Sequence, residues 1–158
     1  MRVSIYDMKV NEKRLPYLYS VKDTDLTDGE SFNQPEKIAG IVRTVFDAQC
    51  LPEERVWMLS FDGAYHLTGI FEVCRGTANA SYISTVQILQ RVLLSGAVNV
   101  AVAHVHPSGD VTPSKEDEVF TIKLKQALEI CAINFLDHVI VAGANRDGYF
   151  SFMENGKL

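Results

Sequence analysis

Cysteine is scarce in this chain, and none of it occurs in a CxxC pair. The three residues are Cys50, Cys74 and Cys131. An odd number without paired spacing argues against a disulfide framework and favours a reducing compartment. We expect all three cysteines to be buried as small hydrophobic side chains. The missing pairs also argue against a closed four-cysteine zinc site and against the PCxxC zinc ligands of a deaminase.

Long apolar runs are missing as well. The run from Ala97 to Ala103 is interrupted by Asn99 and is far too short to span a bilayer. The N-terminus carries Asp7 and Lys9 at positions where a signal peptide needs an apolar core. We therefore expect a cytoplasmic protein that does not enter a membrane.

An excess of positive charge is also lacking. The chain has 15 Lys and Arg residues against 20 Asp and Glu residues, which gives a formal net charge of −5. A domain that binds nucleic acid usually carries a basic excess or a basic stripe, and the longest basic cluster here is Lys123 with Lys125. The sequence therefore predicts no strong nucleic-acid binding.

The chain does contain alternating strand and helix patterns. Strands are predicted at 2–9, 55–61, 65–74, 98–105, 135–142 and 148–153. Helices are predicted at 35–50, 84–95 and 114–131. Asp62-Gly63 is a hairpin signal between two of the strands. This alternation predicts an α/β (α+β) fold with one sheet covered by helices.

A length of 158 residues favours a single domain. Residues 20–35 are polar, acidic and rich in turn-forming residues, so we expect a loop there. We divide the chain into an N-terminal strand and acidic loop at 1–33, packed on the domain, and the main domain at 34–158.

The residues with the clearest chemistry are His104, His106 and Asp117. In a strand, residues i and i+2 point to the same face, so the two imidazoles project side by side. Pro107 ends the strand, and Thr112-Pro113 resembles the start of a helix that carries Asp117 in its first turns. Two imidazoles and one carboxylate form a three-ligand zinc site with a fourth position open for water.

The same stretch has a simpler interpretation, because Ser114-x-x-Asp117 also fits a helix capping box. Two imidazoles buried in an apolar strand are costly without a partner, however. Together with the histidine pair, the pattern favours a Zn²⁺ site over helix capping alone.

The segment HVHPSGDVTPSKED at 104–117 resembles the signature of JAMM (MPN) metalloproteases, and specifically of their RadC-like branch. Further similarity to that branch lies in FEVCRGTANAS at 71–81, FLDHVIV at 135–141 and YFSFMENGKL at 149–158. The resemblance covers roughly residues 34–158. It implies a mixed sheet flanked by helices, similar to the cytidine-deaminase architecture.

The resemblance also implies an activity, the zinc-dependent cleavage of peptide or isopeptide bonds in a peptide or protein substrate. His104, His106 and Asp117 match the metal ligands of the family, and Ser114 matches the serine that helps to hold the oxyanion. Glu54 matches the catalytic glutamate, which accepts a proton from water and delivers it to the leaving amine. Its competitor for this role is Glu72.

Two departures from the family pattern stand out. Val105 replaces the asparagine that often separates the two histidines, and Thr85-Val86-Gln87 replaces a common Pro-Arg-Glu triplet. Full-length relatives carry an N-terminal helix-hairpin-helix domain, for which we see no room before residue 34.

Two other functions stay open, a RadC-like accessory role in DNA repair and a non-catalytic MPN interaction module. The sequence names neither the substrate nor the oligomeric state, and a homo-oligomer is one option. Of the other two histidines, we expect His66 at the surface and His138 in a structural or ligand-supporting role.

Overall fold

A mixed seven-stranded sheet forms the centre of this computed structural model, which describes residues 1–26, 34–76 and 84–158. The strands are β1 (Arg2–Val10), β2 (Pro16–Asp25), β3 (Arg55–Phe61), β4 (Leu67–Arg75), β5 (Asn99–His106), β6 (Asn134–Ala142) and β7 (Tyr149–Ser151). The helices are α1 (Pro35–Phe46), α2 (Thr85–Ser95) and α3 (Lys115–Ile130), with a short 3-10 turn at Ala48–Cys50. The strand order within these residues is β2-β1-β4-β3-β5-β6-β7. This architecture confirms the predicted fold class.

The two faces of the sheet are covered by different helices. One face packs against α1 through Ile38, Ile41 and Val42, and the other packs against α2 and α3. Strand β5 lies between β3 and β6 and is buried along nearly its whole length. Its residues alternate between the two faces, so Ala101 and Ala103 face α1, while Val100 and Val102 face α2 and α3.

The unit β5–α3–β6 places the carboxyl ends of two strands beside each other. Strands β5 and β6 are parallel over the pairs from Asn99↔Asn134 to His106↔Ala142. Helix α3 connects them and packs on the sheet through Leu124 and Leu128. The end of β5, the start of α3 and the interior of β6 are therefore close in space.

The prediction of a loop at 20–35 is wrong for its first part. Residues 20–25 belong to β2, which pairs with β1 in an antiparallel hairpin, and residues 27–33 lie outside the described part of the chain. Strand β2 is an edge strand whose side chains are mostly exposed, so it lacks the buried alternation that identifies a strand in a sequence. The hairpin joins the sheet through the parallel pairs Ile5↔Ile70 and Tyr6↔Phe71.

The expectation that the cysteines are buried is also wrong. Cys50 and Cys131 are exposed, and Cys74 is half-buried. Cys50 ends the 3-10 turn and Cys131 caps the end of α3, so both lie at surface ends of elements. Among the described helices, none combines the length and the apolarity needed to cross a bilayer.

Candidate metal centre

The two histidines lie at the carboxyl end of β5 and face α3. His104 is 1% exposed, and its strand neighbours are Val56 of β3 and Ile140 of β6. His106 is the last residue of the strand and is only partly buried. The predicted arrangement of two imidazoles on one face of a strand end is therefore present.

Asp117 is placed by the first turn of α3. The helix begins at Lys115 with Ser114 as N-cap, which agrees with the helix predicted at 114–131, whereas the start at Thr112-Pro113 is wrong. A capping box forms instead: the Ser114 Oγ accepts a hydrogen bond from the Asp117 amide at 3.1 Å, and the Asp117 Oδ2 accepts one from the Ser114 amide at 2.8 Å. Thr112 lies before the helix, and its amide donates to Asp110 Oδ1 at 2.9 Å.

The capping box fixes the third ligand as well as the helix end. The Ser114 hydroxyl donates to Asp117 Oδ2 at 2.6 Å, so both polar groups of the cap hold the carboxylate in place. The positive end of the helix dipole further favours a carboxylate at this position. The two interpretations of Ser114 and Asp117, helix cap and metal site, are thus compatible in one geometry.

The ligand groups of the three residues converge at this place. The Nε2 atoms of His104 and His106 are 2.9 Å apart. Asp117 Oδ1 lies 3.3 Å from His104 Nε2, and Asp117 Oδ2 lies 3.6 Å from His106 Nε2. With one ligand atom taken from each residue, the three atoms lie within 4.8 Å of one another. Ligands about 2.0–2.1 Å from a tetrahedral zinc are about 3.3 Å from one another, so the donor types fit this ion and the two carboxylate oxygens lie near the required spacing.

Burial sets the charge of His104. It lowers the pKa of this imidazole to about 4, against the opposing attraction of Asp117. His104 is therefore neutral at physiological pH, which is the form that binds a metal.

His106 and Asp117 are shifted in the directions expected of an ion pair. Burial lowers the pKa of His106, but contacts with Asp117 and the Asp110 carbonyl, together with the charge of Glu54, raise it above its ordinary value. Burial raises the pKa of Asp117, but His106, His104 and the Ser114 cap outweigh it and lower the pKa. A cation among these three groups is favoured, whether it is a proton or a metal ion.

The two candidate glutamates have different surroundings. Glu54 immediately precedes β3, is half-buried, and its carbonyl accepts a hydrogen bond from the Gly76 amide at 2.8 Å. Its charge is the smallest of the contributions that raise the pKa of His106, after those of Asp117 and the Asp110 carbonyl. Glu72 instead forms ion pairs with Arg55 at 3.6 Å and with Arg75.

The remaining histidines behave as predicted. The His66 side chain is 72% exposed and pairs with Asp62 at 3.0 Å, before β4 begins. His138 of β6 is fully buried, and its Nε2 lies 2.8 Å from His104 Nδ1, so it supports a candidate ligand.

Thr121 was not identified from the sequence, although it contacts this histidine. Its hydroxyl lies 2.6 Å from His138 Nδ1. The only sequence signal is a threonine four residues after Asp117, in the position where its hydroxyl can reach the Asp117 carbonyl.

Comparison with known proteins identifies the family of this chain. A family model described as "RadC-like JAB domain" matches residues 32–157. A "UPF0758 protein" of Thermotoga maritima is 39% identical over 127 residues, covering 78% of this chain and 56% of its own length. A "UPF0758 protein" of Janthinobacterium is 33% identical over 134 residues, covering 85% of this chain and 58% of its own length. The chain thus spans little more than half the length of these curated relatives.

Proposed function

The chain belongs to the RadC-like JAB domain family, and from this premise we propose that it is a zinc-dependent metallohydrolase that cleaves peptide or isopeptide bonds. The family includes hydrolases, and its characteristic residues are present here at the end of β5 and the start of α3. We assign the hydrolase domain to residues 34–158 and expect it to act in the cytoplasm on a peptide or protein.

A single observation carries the proposal. Two imidazole nitrogens and a carboxylate oxygen, from His104, His106 and Asp117, lie within 4.8 Å of one another at the end of a buried strand. A structural zinc site normally has four protein ligands, whereas three favour an open, catalytic position. Zinc bound there supplies Lewis-acid activation of a water molecule and of the substrate carbonyl.

The residues around the ligands have the chemistry that hydrolysis requires. Glu54 is a carboxylate outside the ligand set whose charge acts on His106, and we assign it to take the proton from the attacking water. The same carboxyl group then delivers that proton to the leaving amine. In this structure the Ser114 hydroxyl donates its hydrogen to Asp117 Oδ2. We assign it to turn that hydrogen toward the oxygen that gains negative charge during the reaction.

Metal content tests the assignment of the ligands. We expect about one zinc per chain in the purified wild type and in His66→Ala, an exposed-histidine control, and a strong loss of zinc in His104→Ala and Asp117→Ala. Elemental analysis of the four proteins provides the measurement. Equal zinc in all four would show that these residues do not bind the metal.

Hydrolysis is tested separately, with a panel of internally quenched peptides and isopeptide-linked peptides. Cleavage by the wild type that disappears in His104→Ala supports the proposal. A protein that keeps its zinc and cleaves none of the panel would favour the non-catalytic interaction module instead.

A further inference from the structure

We propose that the Thr121 hydroxyl controls, through His138, which nitrogen of His104 carries the proton, and thereby keeps His104 Nε2 available for the metal. Thr121 and His138 are positioning residues, and the effect on metal binding rests on the proposed function. Neither residue is a candidate ligand: in the described part of the chain, the candidate ligand set is His104, His106 and Asp117.

The first step is the direction of the Thr121 hydroxyl. Its Oγ1 lies 2.7 Å from the backbone carbonyl oxygen of Asp117 and 2.6 Å from His138 Nδ1. A carbonyl oxygen can only accept, and a hydroxyl has a single hydrogen to donate. The hydroxyl therefore donates to the Asp117 carbonyl and accepts a hydrogen bond from His138 Nδ1.

The second step follows for His138. This ring is fully buried, and burial disfavours an imidazolium ion. A neutral ring that carries its proton on Nδ1 has a lone pair on Nε2. His138 Nε2 lies 2.8 Å from His104 Nδ1, so it accepts the hydrogen bond that His104 Nδ1 donates.

The third step concerns the ligand itself. With its proton on Nδ1, a neutral His104 has its lone pair on Nε2, the atom that lies 2.9 Å from His106 Nε2. His106 reaches the same state by a shorter route, because its Nδ1 donates to the Asp110 carbonyl at 2.7 Å. Both Nε2 atoms can then present a lone pair to a metal ion that replaces the proton favoured among these groups.

Reversing the hydrogen bond between Thr121 and His138 would also reverse the hydrogen bond between His138 and His104. If Thr121 donated to His138 Nδ1, His138 would carry its proton on Nε2 and donate to His104 Nδ1. His104 would then hold its proton on Nε2, where it blocks the metal. The Asp117 carbonyl prevents this, so the residue that supplies the third ligand also fixes the protonation of the first.

Aromatic packing prevents His138 from escaping this arrangement by rotating. Its ring stacks on Phe152 with centroids 4.7 Å apart and an interplanar angle of 9°. It also meets the Phe120 ring in a T-shaped arrangement with centroids 5.4 Å apart. The backbone is also held, because the His138 carbonyl accepts a hydrogen bond from the Phe152 amide at 3.0 Å.

A matched pair of variants tests the proposal, Thr121→Val against Thr121→Ser. Valine keeps the shape of threonine but has no hydroxyl, whereas serine keeps the hydroxyl. We expect Thr121→Val to weaken zinc binding by about 10–100-fold, as is typical when a residue that orients a ligand is lost. Thr121→Ser should bind zinc close to the wild-type level. A chelator competition assay measures both.

The second measurement needs neither a variant nor zinc. Long-range ¹H–¹⁵N NMR of the metal-free wild type at neutral to mildly alkaline pH reports which nitrogen of His104 is protonated. A proton on Nδ1 supports the proposal. A proton on Nε2, or equal zinc affinity of the valine and serine variants, overturns it. If the wild type binds no zinc, the proposed function fails, while the NMR result still decides the inference.

Discussion

Burial and the charge of Asp117 have opposite effects on the pKa of His104. Its pKa is lowered to about 4 in the folded protein by burial, and that of His138 lies well below its ordinary value for the same reason. Both rings take up protons near pH 6.5 once the chain unfolds. Because the unfolded state then binds more protons, acidification favours unfolding.

We therefore expect the metal-free protein to lose stability as the pH falls from about 6.5 to about 4. His106 opposes this trend, since its raised pKa adds stability below pH 6.5, and so does Asp137, whose raised pKa adds stability as the pH falls toward its ordinary value. We expect the two histidine rings to dominate, because burial strongly disfavours their charged forms. Urea midpoints at neutral and acidic pH provide the measurement, with His66→Gln as the exposed control. A midpoint that stays constant across this range would contradict the neutral, buried state of the two rings.

Ser114 has two proposed roles, helix cap and oxyanion donor, and losing each should have a different effect. Removing an N-cap side chain costs about 1 kcal/mol of stability, whereas removing an oxyanion donor costs about 10²–10³ in rate. We expect Ser114→Ala to lower the melting temperature slightly and turnover strongly, because the same hydroxyl also holds the Asp117 carboxylate. If the melting temperature falls and turnover is unchanged, the serine acts as a helix cap alone.

Glu54 and Glu72 can be separated by substitution with glutamine, which keeps the size and removes the charge. We expect Glu54→Gln to retain zinc and fold but to abolish hydrolysis, because a general base need not bind the metal. Glu72→Gln should be milder, since this carboxylate is already paired with Arg55 and Arg75. Turnover, zinc content and circular dichroism of both variants test the assignment. Loss of activity in Glu72→Gln alone would reverse it.

At the scale of secondary structure, the contact between the end of β5 and the segment after β6 has little spare room. A Cβ atom added at Gly143 would lie 2.8 Å from the His106 carbonyl oxygen and 2.8 Å from Pro107 Cα, both in the backbone. We expect Gly143→Ala to destabilise the fold by about 1–3 kcal/mol, as overpacking does, and to weaken zinc binding by displacing His106.

Gly40→Ala is the matched control for this substitution. Gly40 lies inside α1, and an added Cβ there meets nothing within 4 Å. Alanine in a helix interior is favoured over glycine by about 0.5–1 kcal/mol, so we expect this variant to be as stable as the wild type or more stable. Denaturant unfolding and zinc titration of both variants would show whether the effect of Gly143→Ala is local to the centre.

The same elements show what a sequence can and cannot reveal. Strands β5 and β6 were predicted because their apolar runs reflect burial on both faces. Strand β2 was missed because an edge strand is stabilised mainly by backbone pairing with β1, which leaves little trace in residue type.

The candidate site, like the sheet, could be predicted in part from sequence patterns. His104 and His106 follow from strand periodicity, and Asp117 from its place in the first turn of α3. Thr121 could not be found in this way. Its role depends on the packing of α3 against β6, which connects residues 17 positions apart in the chain.

At the scale of the whole molecule, the net charge of −5 bears on the alternative function in DNA repair. Affinity for duplex DNA comes largely from positive charges that displace counterions from phosphates. We expect no specific, salt-dependent retardation of duplex DNA by submicromolar protein at physiological salt. A clear shift that weakens with added salt would favour the accessory role over hydrolysis.

The order of elements along the chain has a consequence for biosynthesis. The three candidate ligands and both positioning residues lie in the unit β5–α3–β6, and His138 is the last of them to be translated. Until β6 has left the ribosome and paired with β5, the Nδ1 atom of His104 lacks the acceptor seen in the folded protein. A nascent chain that ends in α3 therefore contains every candidate ligand but not yet a complete site, so metal capture should follow the synthesis of β6.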